Sequence, residues 1–287
     1  MEKSQKIQYS FITAVYNCLE LTRSFLRSFG QTVGLAPGSF EILLIDDCSS
    51  EPIETLVDAF PELPIRYLQN VENQGFGESN NRGAREAQGD VLILLNNDLT
   101  LLPGWLEPML RALESDNKTG AVGNIQINPR NKLMDHAGVA FDLEGLPFHA
   151  RKNRRRKKGA QTYEWPAVTA ACMAIRRSVF LEQRGFSNAY RNGAEDIDLC
   201  LSLKKAGYHN VVCNDSVIYH HVSSSPGRHD FNEQNLEILK SRWGQEGALI
   251  GKKIWAPEYL HRYARHWWKF SPSKLIRALF MLCRPRS

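Results

Sequence analysis

Four short clusters of carboxylate, amide and imidazole side chains are the candidates for chemistry in this 287-residue chain: Asp46-Asp47, Asn96-Asn97-Asp98, Glu195-Asp196 and His220-His221. Carboxylate oxygens bind hard divalent cations such as Mg²⁺, and a carboxylate beside a hydroxyl group can accept its proton. Whether the four clusters act together depends on the secondary structure that carries them.

Taken singly, each cluster is also compatible with a structural role. Asp46-Asp47 could form a turn and a helix cap, and Asn96-Asn97-Asp98 could shape a loop in the same way. Glu195 and Asp196 at the start of a helix would interact favourably with its dipole, by about 0.3 to 1 kcal/mol each. His220-His221 could be ordinary surface residues. The order of the clusters is therefore more informative than any one of them.

Short apolar runs alternate with amphipathic stretches through the first hundred residues, which predicts parallel strands joined by helices. The predicted strands are 9–15, 41–45, 65–68 and 91–95, and the predicted helices are 19–29, 53–60, 77–87 and 103–113. Two polar clusters directly follow the second and fourth strands. Ligands bind at this edge of an open α/β sheet, because helix N-termini and loop amides converge there.

The pattern is less regular in the second half of the chain. Residues 122–159 show no clear periodicity, and order returns at 165–175. A helix is predicted at 195–206, followed by extended segments at 211–213 and 216–219. Glu195-Asp196 therefore opens a helix, and His220-His221 follows a strand.

Several classes of protein are disfavoured by what the sequence lacks. It has no phosphate-binding loop of the Gly-x-x-x-x-Gly-Lys type, no Gly-x-Ser-x-Gly elbow and no complete dinucleotide fingerprint, which disfavours kinases, hydrolases and dehydrogenases. The six cysteines form no Cys-x-x-Cys pair, so we expect reduced thiols. The sequence has no apolar run of the roughly 20 residues that span a bilayer and no signal-peptide pattern, which predicts a cytoplasmic protein.

The ordered clusters resemble the family 2 glycosyltransferases, inverting enzymes with the GT-A fold. The matching stretches are Phe11-Ile-Thr-Ala-Val-Tyr-Asn17, Leu44-Ile-Asp-Asp-Cys-Ser49, Glu72-Asn-Gln-Gly-Phe-Gly77, Asn80-Asn-Arg-Gly83, Gly89-Asp-Val-Leu-Ile-Leu-Leu-Asn-Asn-Asp98, Thr169-Ala-Ala-Cys172, Gly193-Ala-Glu-Asp-Ile-Asp-Leu-Cys200 and Tyr219-His-His-Val-Ser223. Within the family, the sequence is most similar to the branch that includes rhamnosyltransferases of bacterial surface polysaccharide synthesis, where Asn-Asn-Asp replaces the usual Asp-x-Asp.

The resemblance implies an α/β protein of GT-A fold, with a Rossmann-like, mostly parallel sheet flanked by helices, an acceptor-side subregion and a C-terminal helical tail. The glycosyltransferase domain would cover residues 1–245, divided into a nucleotide-sugar half (1–125) and an acceptor half (126–245). Residues 246–287 would form a basic, aromatic C-terminal extension.

The resemblance also assigns roles to individual residues. Asp196 corresponds to the catalytic base, and Glu195 would help to position the acceptor. Asp98 would bind a divalent cation, Mg²⁺ or Mn²⁺, on the donor diphosphate, with His220 as the better match to the histidine beside the metal and His221 as the alternative. The implied donor-binding residues are Thr13, Ala14 and Tyr16 at the base, Asp46 on the pyrimidine ring, Gly75 and Asn80 beside the base and diphosphate, and Asn96 facing the ribose.

These residue types suit the chemistry. A nucleotide-sugar donor loses a diphosphate, whose developing charge a cation can neutralise, and the acceptor hydroxyl must lose a proton as it attacks. We therefore expect Asp98 and Asp196 to face one cleft from opposite sides of the bound sugar. The alternative is a nucleotide-sugar binding protein of this fold without catalysis, and a nucleic-acid-binding protein is a third hypothesis.

The sequence departs from the family at two positions. Asn96 removes one negative charge from the metal loop, so we expect the cation to be held more by the diphosphate than by protein, and weakly in its absence. Ala170 occupies a position where relatives often have glycine in a Thr-Gly-Ala stretch. Both positions belong to segments that are predicted to border the donor or acceptor.

Two segments concentrate positive charge. Residues 151–158 carry seven Lys or Arg and no acidic side chain, and residues 258–287 carry seven Lys or Arg and one Glu, although the whole chain has a net charge of only +5. Such a run could be a nuclear signal or a nucleic-acid patch, but we interpret residues 151–158 as a solvated, flexible loop. Because the loop lies on the acceptor side, it is also a candidate contact for an anionic acceptor such as a lipid pyrophosphate.

The C-terminal tail, residues 259–286, mixes cations with apolar residues, namely Trp267, Trp268, Leu275, Ile276, Leu279, Phe280 and Leu282. This composition is typical of a helix that lies in a membrane interface, with apolar side chains at the headgroup boundary and cations on anionic lipid. Packing of the same residues on the catalytic domain or on a partner subunit is equally compatible with the sequence.

Overall fold

A computed structural model describes residues 6–159, 161–221, 231–263, 268 and 271–283. The first half of the chain alternates strands and helices, as the periodicity predicts. The elements are β1 (Tyr9–Val15), α1 (Leu19–Thr32), β2 (Phe40–Asp46), α2 (Thr55–Ala59), β3 (Ile65–Gln69), α3 (Gly75–Glu86), β4 (Val91–Leu95), β5 (Leu99–Leu101) and α4 (Glu107–Ser115). The predicted start of α4 at Pro103 is wrong, because Pro108 rather than Pro103 occupies the first turn of that helix.

The second half adds β6 (Thr119–Ile127), β7 (Met134–His136), β8 (Val139–Phe141), β9 (Pro147–His149), β10 (Thr162–Trp165), β11 (Cys172–Arg176), α5 (Arg177–Glu182), α6 (Glu195–Lys205) and β12 (His209–His220). The two extended segments predicted at 211–213 and 216–219 are one strand, β12, whose pairing with β6 shifts between Cys213 and Val217.

The prediction that residues 122–159 are irregular is wrong, since β6 to β9 occupy much of this segment. Two features hid these strands from a search for apolar runs. In β6, Gly123 and Asn124 interrupt the apolar pattern; a side chain at Gly123 would lie 2.8 Å from Cβ of Val168, so the close packing of this strand requires glycine. The strands β7, β8 and β9 have three residues each, too few to establish a periodicity.

One large sheet organises the described residues, with the strand order β10-β12-β6-β11-β4-β1-β2-β3. The strands β4, β1, β2 and β3 run parallel to one another. The strand β11 enters antiparallel between β4 and β6, and β12 continues parallel to β6. The predicted α/β architecture, a Rossmann-like sheet flanked by helices, is therefore confirmed.

Apolar layers cover both faces of this sheet, because successive residues of a strand point to opposite sides. Ile42 and Leu44 of β2 pack with Phe25 and Phe29 of α1 on one face, in a layer that also contains Trp105 and Met109. Leu43 and Ile45 pack on the other face with Ala84 of α3 and Leu199 of α6. The two layers hold the carboxyl ends of the central strands at a fixed edge.

The chain ends in two helices, α7 (Asn232–Tyr263) and α8 (Pro272–Cys283). The helix α7 runs without a break through the predicted domain boundary at 245/246. Trp255 and Tyr259 of α7 are buried with Ala278 of α8, so part of the tail packs on the protein. Within the described residues, no helix is long and apolar enough to cross a bilayer. Val222, Ser223, Trp267 and residues 284–287, which the sequence analysis included in its motifs and tail, lie outside the described residues.

Candidate functional site

A cleft of about 560 Å³ opens where β1 and β4 end and α6 begins. Five of the eleven predicted site residues line this cleft: Ala14, Tyr16, Asn96, Glu195 and Asp196. The other six, Thr13, Asp46, Gly75, Asn80, Asp98 and His220, lie behind its walls or beside it. The sheet edge that the sequence analysis identified is thus the edge that carries the cavity.

The end of β1 forms one wall. Tyr16 exposes 44% of its surface and presents an aromatic ring at the cleft. Thr13, three residues before Tyr16, is fully buried, and its Oγ1 has no hydrogen-bond partner within the described residues. Asn17 and Cys18 follow with φ of 54° and 63°, a conformation that non-glycine residues seldom adopt. This sharp turn directs the chain away from the cleft immediately after Tyr16.

The two adjacent aspartates after β2 have different surroundings. Asp46 is fully buried and accepts hydrogen bonds from the Tyr67 hydroxyl (2.6 Å) and the Ser49 amide (2.9 Å). Asp47 instead lines the cleft, and it accepts hydrogen bonds from the amides of Gln74 and Gly75, each at 2.8 Å. The sequence analysis assigned the donor contact to Asp46, whereas the structure places Asp47 at the cavity.

Two predicted site residues belong to α3. Gly75 borders a second cavity, and Asn80 is buried within the helix. Gly75 has a φ of +82° and borders a neighbouring cavity of about 440 Å³, shared with Asn73 and Phe76 of the cleft wall. Asn80 is 1% exposed and donates to the Phe76 carbonyl oxygen (2.8 Å) within its own helix. In this structure Asn80 therefore stabilises α3 beside the cleft.

Asp98 and His220 lie together because β5 pairs with β12. The register places Leu99 opposite His220, and Nε2 of His220 lies 3.3 Å from Oδ1 of Asp98. Asp98 is 3% exposed and His220 is 4% exposed. The alternative histidine, His221, is exposed, and its Nε2 lies 2.9 Å from the Thr100 hydroxyl. Of the two histidines, His220 is thus the one whose imidazole contacts the carboxylate of Asp98.

The metal-loop residues connect this pair to the cleft. Asn96 and Asn97 line the cavity, and Asp98 follows them but is not itself among the lining residues. The Asn97 amide donates to Thr22 of α1 (2.9 Å), whereas Oδ1 of Asn96 is buried without a hydrogen-bond partner within the described residues. Asp196 lines the cleft directly, whereas Asp98 is buried behind Asn96 and Asn97, so the two carboxylates do not both face the cavity as the sequence analysis expected.

A carboxylate–imidazole pair fits a divalent cation such as Mn²⁺, because it supplies one oxygen and one nitrogen ligand. Nδ1 of His220 has no hydrogen-bond partner in the described part of the chain, so nothing there fixes the ring in one tautomer. In the ranges described, no group of three or more His, Cys, Asp or Glu side chains is arranged to hold a metal ion. Within the described residues, Asp98 and His220 are therefore joined by no third His, Cys, Asp or Glu side chain at this position.

Asp196 is held by backbone amides at the N-terminus of α6. Its Oδ2 accepts from the Ala170 amide (3.0 Å) and its Oδ1 from the Ile197 amide (2.8 Å). The N-terminal end of a helix also favours a negative charge. Ala170, the residue that departs from the family pattern, thus contributes its backbone rather than its side chain. The preceding Ala194 has a φ of +73°, which turns the chain sharply into the helix.

Glu195 is more deeply buried than its neighbour. It is 2% exposed, and its Oε1 has no hydrogen-bond partner within the described residues. Burial, followed by the nearby charge of Asp196, raises the pKa of Glu195 to about 7. A side chain at Gly77 would lie 3.4 Å from Cγ of Glu195, so a glycine at this position leaves room for the carboxyl group.

The acceptor side contains functional candidates that the sequence analysis missed. His149 of β9 lines the cleft, and its Nδ1 lies 3.0 Å from the Asp135 carbonyl oxygen. Because a carbonyl only accepts, Nδ1 carries the proton in the neutral ring and Nε2 is left as an acceptor. Burial lowers the pKa of His149, which favours this neutral form, and its ring meets that of His136 at 5.0 Å. The sequence feature that could have pointed to His149 is the pair of histidines within residues 122–159, the segment that was predicted to be irregular.

The basic segment 151–158 is attached to the protein at several points, so the prediction of a solvated loop is wrong for four of its cations. The Arg151 guanidinium lies 3.9 Å above the Tyr163 ring, and Lys152 pairs with Asp135 at 2.9 Å. Arg154 pairs with Glu258 of α7 at 2.9 Å, and Arg156 donates to the Asn214 carbonyl oxygen at 2.7 Å. The exposed cations of the segment are Arg155, Lys157 and Lys158.

Comparison with known proteins supports the same family. The sequence model described as "Glycosyl transferase family 2" matches residues 10–184, more than half of the chain. The chain is 31% identical over 227 residues to the uncharacterized protein y4gI of Sinorhizobium fredii, a match that covers 72% of this chain and 24% of that protein. It is 28% identical over 211 residues to the N-acetylglucosaminyl-diphospho-decaprenol L-rhamnosyltransferase of Mycobacterium tuberculosis, covering 65% of this chain and 68% of that enzyme.

Among solved structures, GalNAc-T7 with UDP, GalNAc and Mn²⁺ superimposes with a TM-score of 0.61 at 18% identity, covering 76% of this chain and 44% of that chain. At this identity the likeness shows the shared fold. For three of the curated relatives, the chain spans 15%, 24% and 61% of their length, so it corresponds to one part of those proteins.

Proposed function

Because the chain belongs to glycosyl transferase family 2, we propose that it moves a sugar from a nucleoside diphosphate donor to a hydroxyl group of a glycan or lipid-linked glycan. The transfer is a single displacement that inverts the anomeric centre. The similarity to a rhamnosyltransferase and to a structure that contains UDP makes dTDP-rhamnose and UDP-sugars the first donors to test.

One observation carries this proposal. The cleft places Asp196, whose oxygens accept hydrogen bonds from two backbone amides, in the same cavity as Tyr16 and Asn96. A donor that stacks its base on Tyr16 and extends past Asn96 would present its sugar toward the N-terminus of α6. The cavity of about 560 Å³ is within the size range of small-molecule and cofactor sites.

Asp196 would act as the general base. The amides of Ala170 and Ile197 fix the orientation of its carboxylate, so no rearrangement is needed to aim it at an acceptor hydroxyl. General-base catalysis of this kind contributes a rate factor of about 10² to 10⁴. The attacking oxygen forms its bond to the anomeric carbon as the bond to the diphosphate breaks, and Asp196 takes the hydroxyl proton.

Glu195 would hold the acceptor rather than take its proton. With its pKa near 7, a large fraction of this carboxyl group is protonated at neutral pH and can donate a hydrogen bond to a sugar hydroxyl. His149 lies on the same wall of the cleft. Its Nε2 is an acceptor in the neutral ring and can receive a hydrogen bond from the acceptor. Together they offer one donor and one acceptor beside the base.

Asp98 and His220 would hold a divalent cation, and this cation would neutralise the charge that develops on the diphosphate as it leaves. Oxygens of the diphosphate and water would complete the coordination, because no third His, Cys, Asp or Glu side chain of the described residues joins this pair. This arrangement agrees with the substitution of Asn96 for an acidic residue, which leaves the cation dependent on the donor.

Replacing Asp196 by Asn tests the assignment of the base. The amide keeps the shape of the side chain but cannot accept the hydroxyl proton, so turnover should fall by at least about 100-fold while the dissociation constant of the donor changes little. Release of nucleoside diphosphate from dTDP-rhamnose and UDP-sugars, measured with Mn²⁺ and an acceptor glycan, gives the turnover, and calorimetry gives donor binding.

Asp58→Asn, a matched change on the exposed side of α2, should leave both quantities unchanged. Unchanged turnover in Asp196→Asn would contradict the role of this residue. If the wild-type protein binds a donor but shows no turnover with any acceptor, the protein is a nucleotide-sugar binding protein without catalysis.

A further inference from the structure

The C-terminal helix α8 exposes large apolar side chains on the face opposite its contact with α7. Ala278 is fully buried against α7, whereas Ile276 is 68% exposed and Leu279 is 50% exposed. Ile276 and Leu279 are three residues apart and therefore share one face of the helix. Leu282, at 49% exposure, continues this apolar surface toward the end of α8.

The helix is attached to the wall of the cleft. Its buried Ala278 packs with Trp255 and Tyr259 of α7, and Phe148 of β9, which lines the cleft, packs against the same cluster. The Ser271 amide, just before α8, donates to the Tyr259 hydroxyl oxygen at 3.1 Å. These contacts hold α8 on α7, next to Phe148 of the cleft wall.

The surroundings of this face are basic. Among the described residues, Lys274 and Arg277 are exposed on α8 itself. Glu258 pairs with Arg154, which ties the basic segment 151–158 to α7. The segment, which meets α7 at Glu258 beside Tyr259, also carries the exposed cations Arg155, Lys157 and Lys158.

We propose that α8 docks the protein on an anionic lipid bilayer, with Ile276 and Leu279 entering the headgroup boundary and the surrounding cations contacting acidic headgroups. Apolar side chains on one face, framed by Lys and Arg, are the arrangement by which helices bind such interfaces. At 12 residues, α8 lies in the membrane plane and does not cross it. The docked protein presents the acceptor wall of its cleft, through Phe148 and α7, to the lipid surface.

Sedimentation with vesicles tests this proposal with the full chain. Vesicles of phosphatidylcholine and phosphatidylglycerol in equal amounts should bind the wild-type protein, and pure phosphatidylcholine vesicles should bind it much less. Leu279→Glu and Ile276→Glu should each weaken binding by about tenfold or more, since a carboxylate enters the face that meets the headgroups. Arg277→Glu should weaken it by roughly tenfold through repulsion from acidic lipid.

Leu249→Glu is the matched control, because Leu249 is 58% exposed on α7 and outside α8. It should bind as the wild type does. Circular dichroism of each variant establishes that it is folded. The proposal would be overturned if the wild-type protein did not bind the anionic vesicles, or if the α8 variants bound them as well as the control does.

A second copy of the chain is the competing occupant of this face. Light scattering without lipid that shows a dimer, converted to a monomer by Leu279→Glu, would also overturn membrane docking. Vesicle binding is measured without donor or acceptor, so its outcome does not depend on the proposed transfer reaction. Donor binding by calorimetry on the same samples shows separately whether the cleft is competent.

Discussion

Two adjacent carboxyl groups, Glu195 and Asp196, illustrate how burial divides roles at the residue scale. Both oxygens of Asp196 accept hydrogen bonds from backbone amides, whereas Glu195 is 2% exposed with an unpaired Oε1 among the described residues. Burial disfavours the charged form of Glu195 and raises its pKa to about 7. The sequence shows only that the two residues are neighbours at a helix start, so this division had to come from the structure.

Replacing Glu195 by Gln should change how stability depends on pH. A carboxyl group whose pKa rises from 4.5 in the unfolded chain to about 7 in the folded protein stabilises the fold below pH 4.5 and loses that contribution as pH rises to 7. Between pH 5 and pH 8, the wild-type protein should therefore lose about 2 to 3 kcal/mol of unfolding free energy relative to Glu195→Gln.

Urea unfolding at both pH values measures this difference. Glu164→Gln, at an exposed position of β10, is the control and should follow the wild type. Parallel stability curves for the wild type and Glu195→Gln would show that the carboxyl group ionises in the folded protein as it does in the unfolded chain.

Several site residues could be placed from sequence because they immediately follow strands. Asn96 follows β4, Tyr16 follows β1, and both reach the cleft. That Asp47 rather than Asp46 lines the cavity could not be seen from the sequence, because the Tyr67 hydroxyl and the Ser49 amide, which donate to Asp46, come from positions that only the folded chain brings together. His149 was missed because a three-residue strand carries too little pattern to be recognised.

Among the elements, a glycine seam fixes α7 to the β8–β9 hairpin that lines one side of the cleft. A side chain at Gly251 would overlap the Asp142 carbonyl oxygen, and one at Gly247 would lie 2.9 Å from the Gly145 carbonyl oxygen. These are backbone atoms, which cannot rotate away. The seam therefore sets the distance between α7 and the hairpin, and through it the position of Phe148 at the cleft.

Gly251→Ala should destabilise the protein by about 1 to 3 kcal/mol, because the added methyl group forces α7 away from the hairpin. Gly244→Ala is the matched control in the same helix. Its methyl group would lie 3.3 Å from Cγ of Lys240, a flexible side chain, and alanine favours a helix by about 0.5 to 1 kcal/mol over glycine.

Urea unfolding of both variants at one pH separates the two effects. Gly244→Ala should match or exceed the wild type in stability, and Gly251→Ala should fall below it. Equal stability of the two variants would mean that the seam does not hold the helix.

Element prediction succeeded where the pattern was long and failed where it was short or interrupted. The strands β1, β2 and β4 carry five to seven apolar or buried residues each, and they were found near their observed bounds. In the second half of the chain, the bulge in β12 and the glycines in β6 interrupted the apolar pattern by which strands are recognised. The predicted C-terminal helical tail covers only the second part of α7; the first part, before residue 246, was not predicted as a helix.

At the scale of the whole molecule, charge and apolar surface are segregated. The anionic groups predicted to act on the sugar lie at the carboxyl edge of the sheet, and the cations concentrate on segment 151–158 and the C-terminal helices. Four cations of the segment are bound to protein groups, which leaves three exposed for an anionic acceptor or lipid. This arrangement favours contact with one particular anionic surface over the broad basic patch typical of nucleic-acid binding.

The account depends on one cleft that holds an activated sugar between the Asp98–His220 pair and Asp196. Diffraction at the manganese absorption edge, from crystals grown with Mn²⁺ and the nucleoside diphosphate of the donor identified by turnover, tests this most directly. The account predicts an anomalous peak in contact with Asp98 and His220, with the base beside Tyr16 and the diphosphate directed toward Asp196. A nucleotide bound outside the cleft, or manganese bound away from both Asp98 and His220, would contradict it.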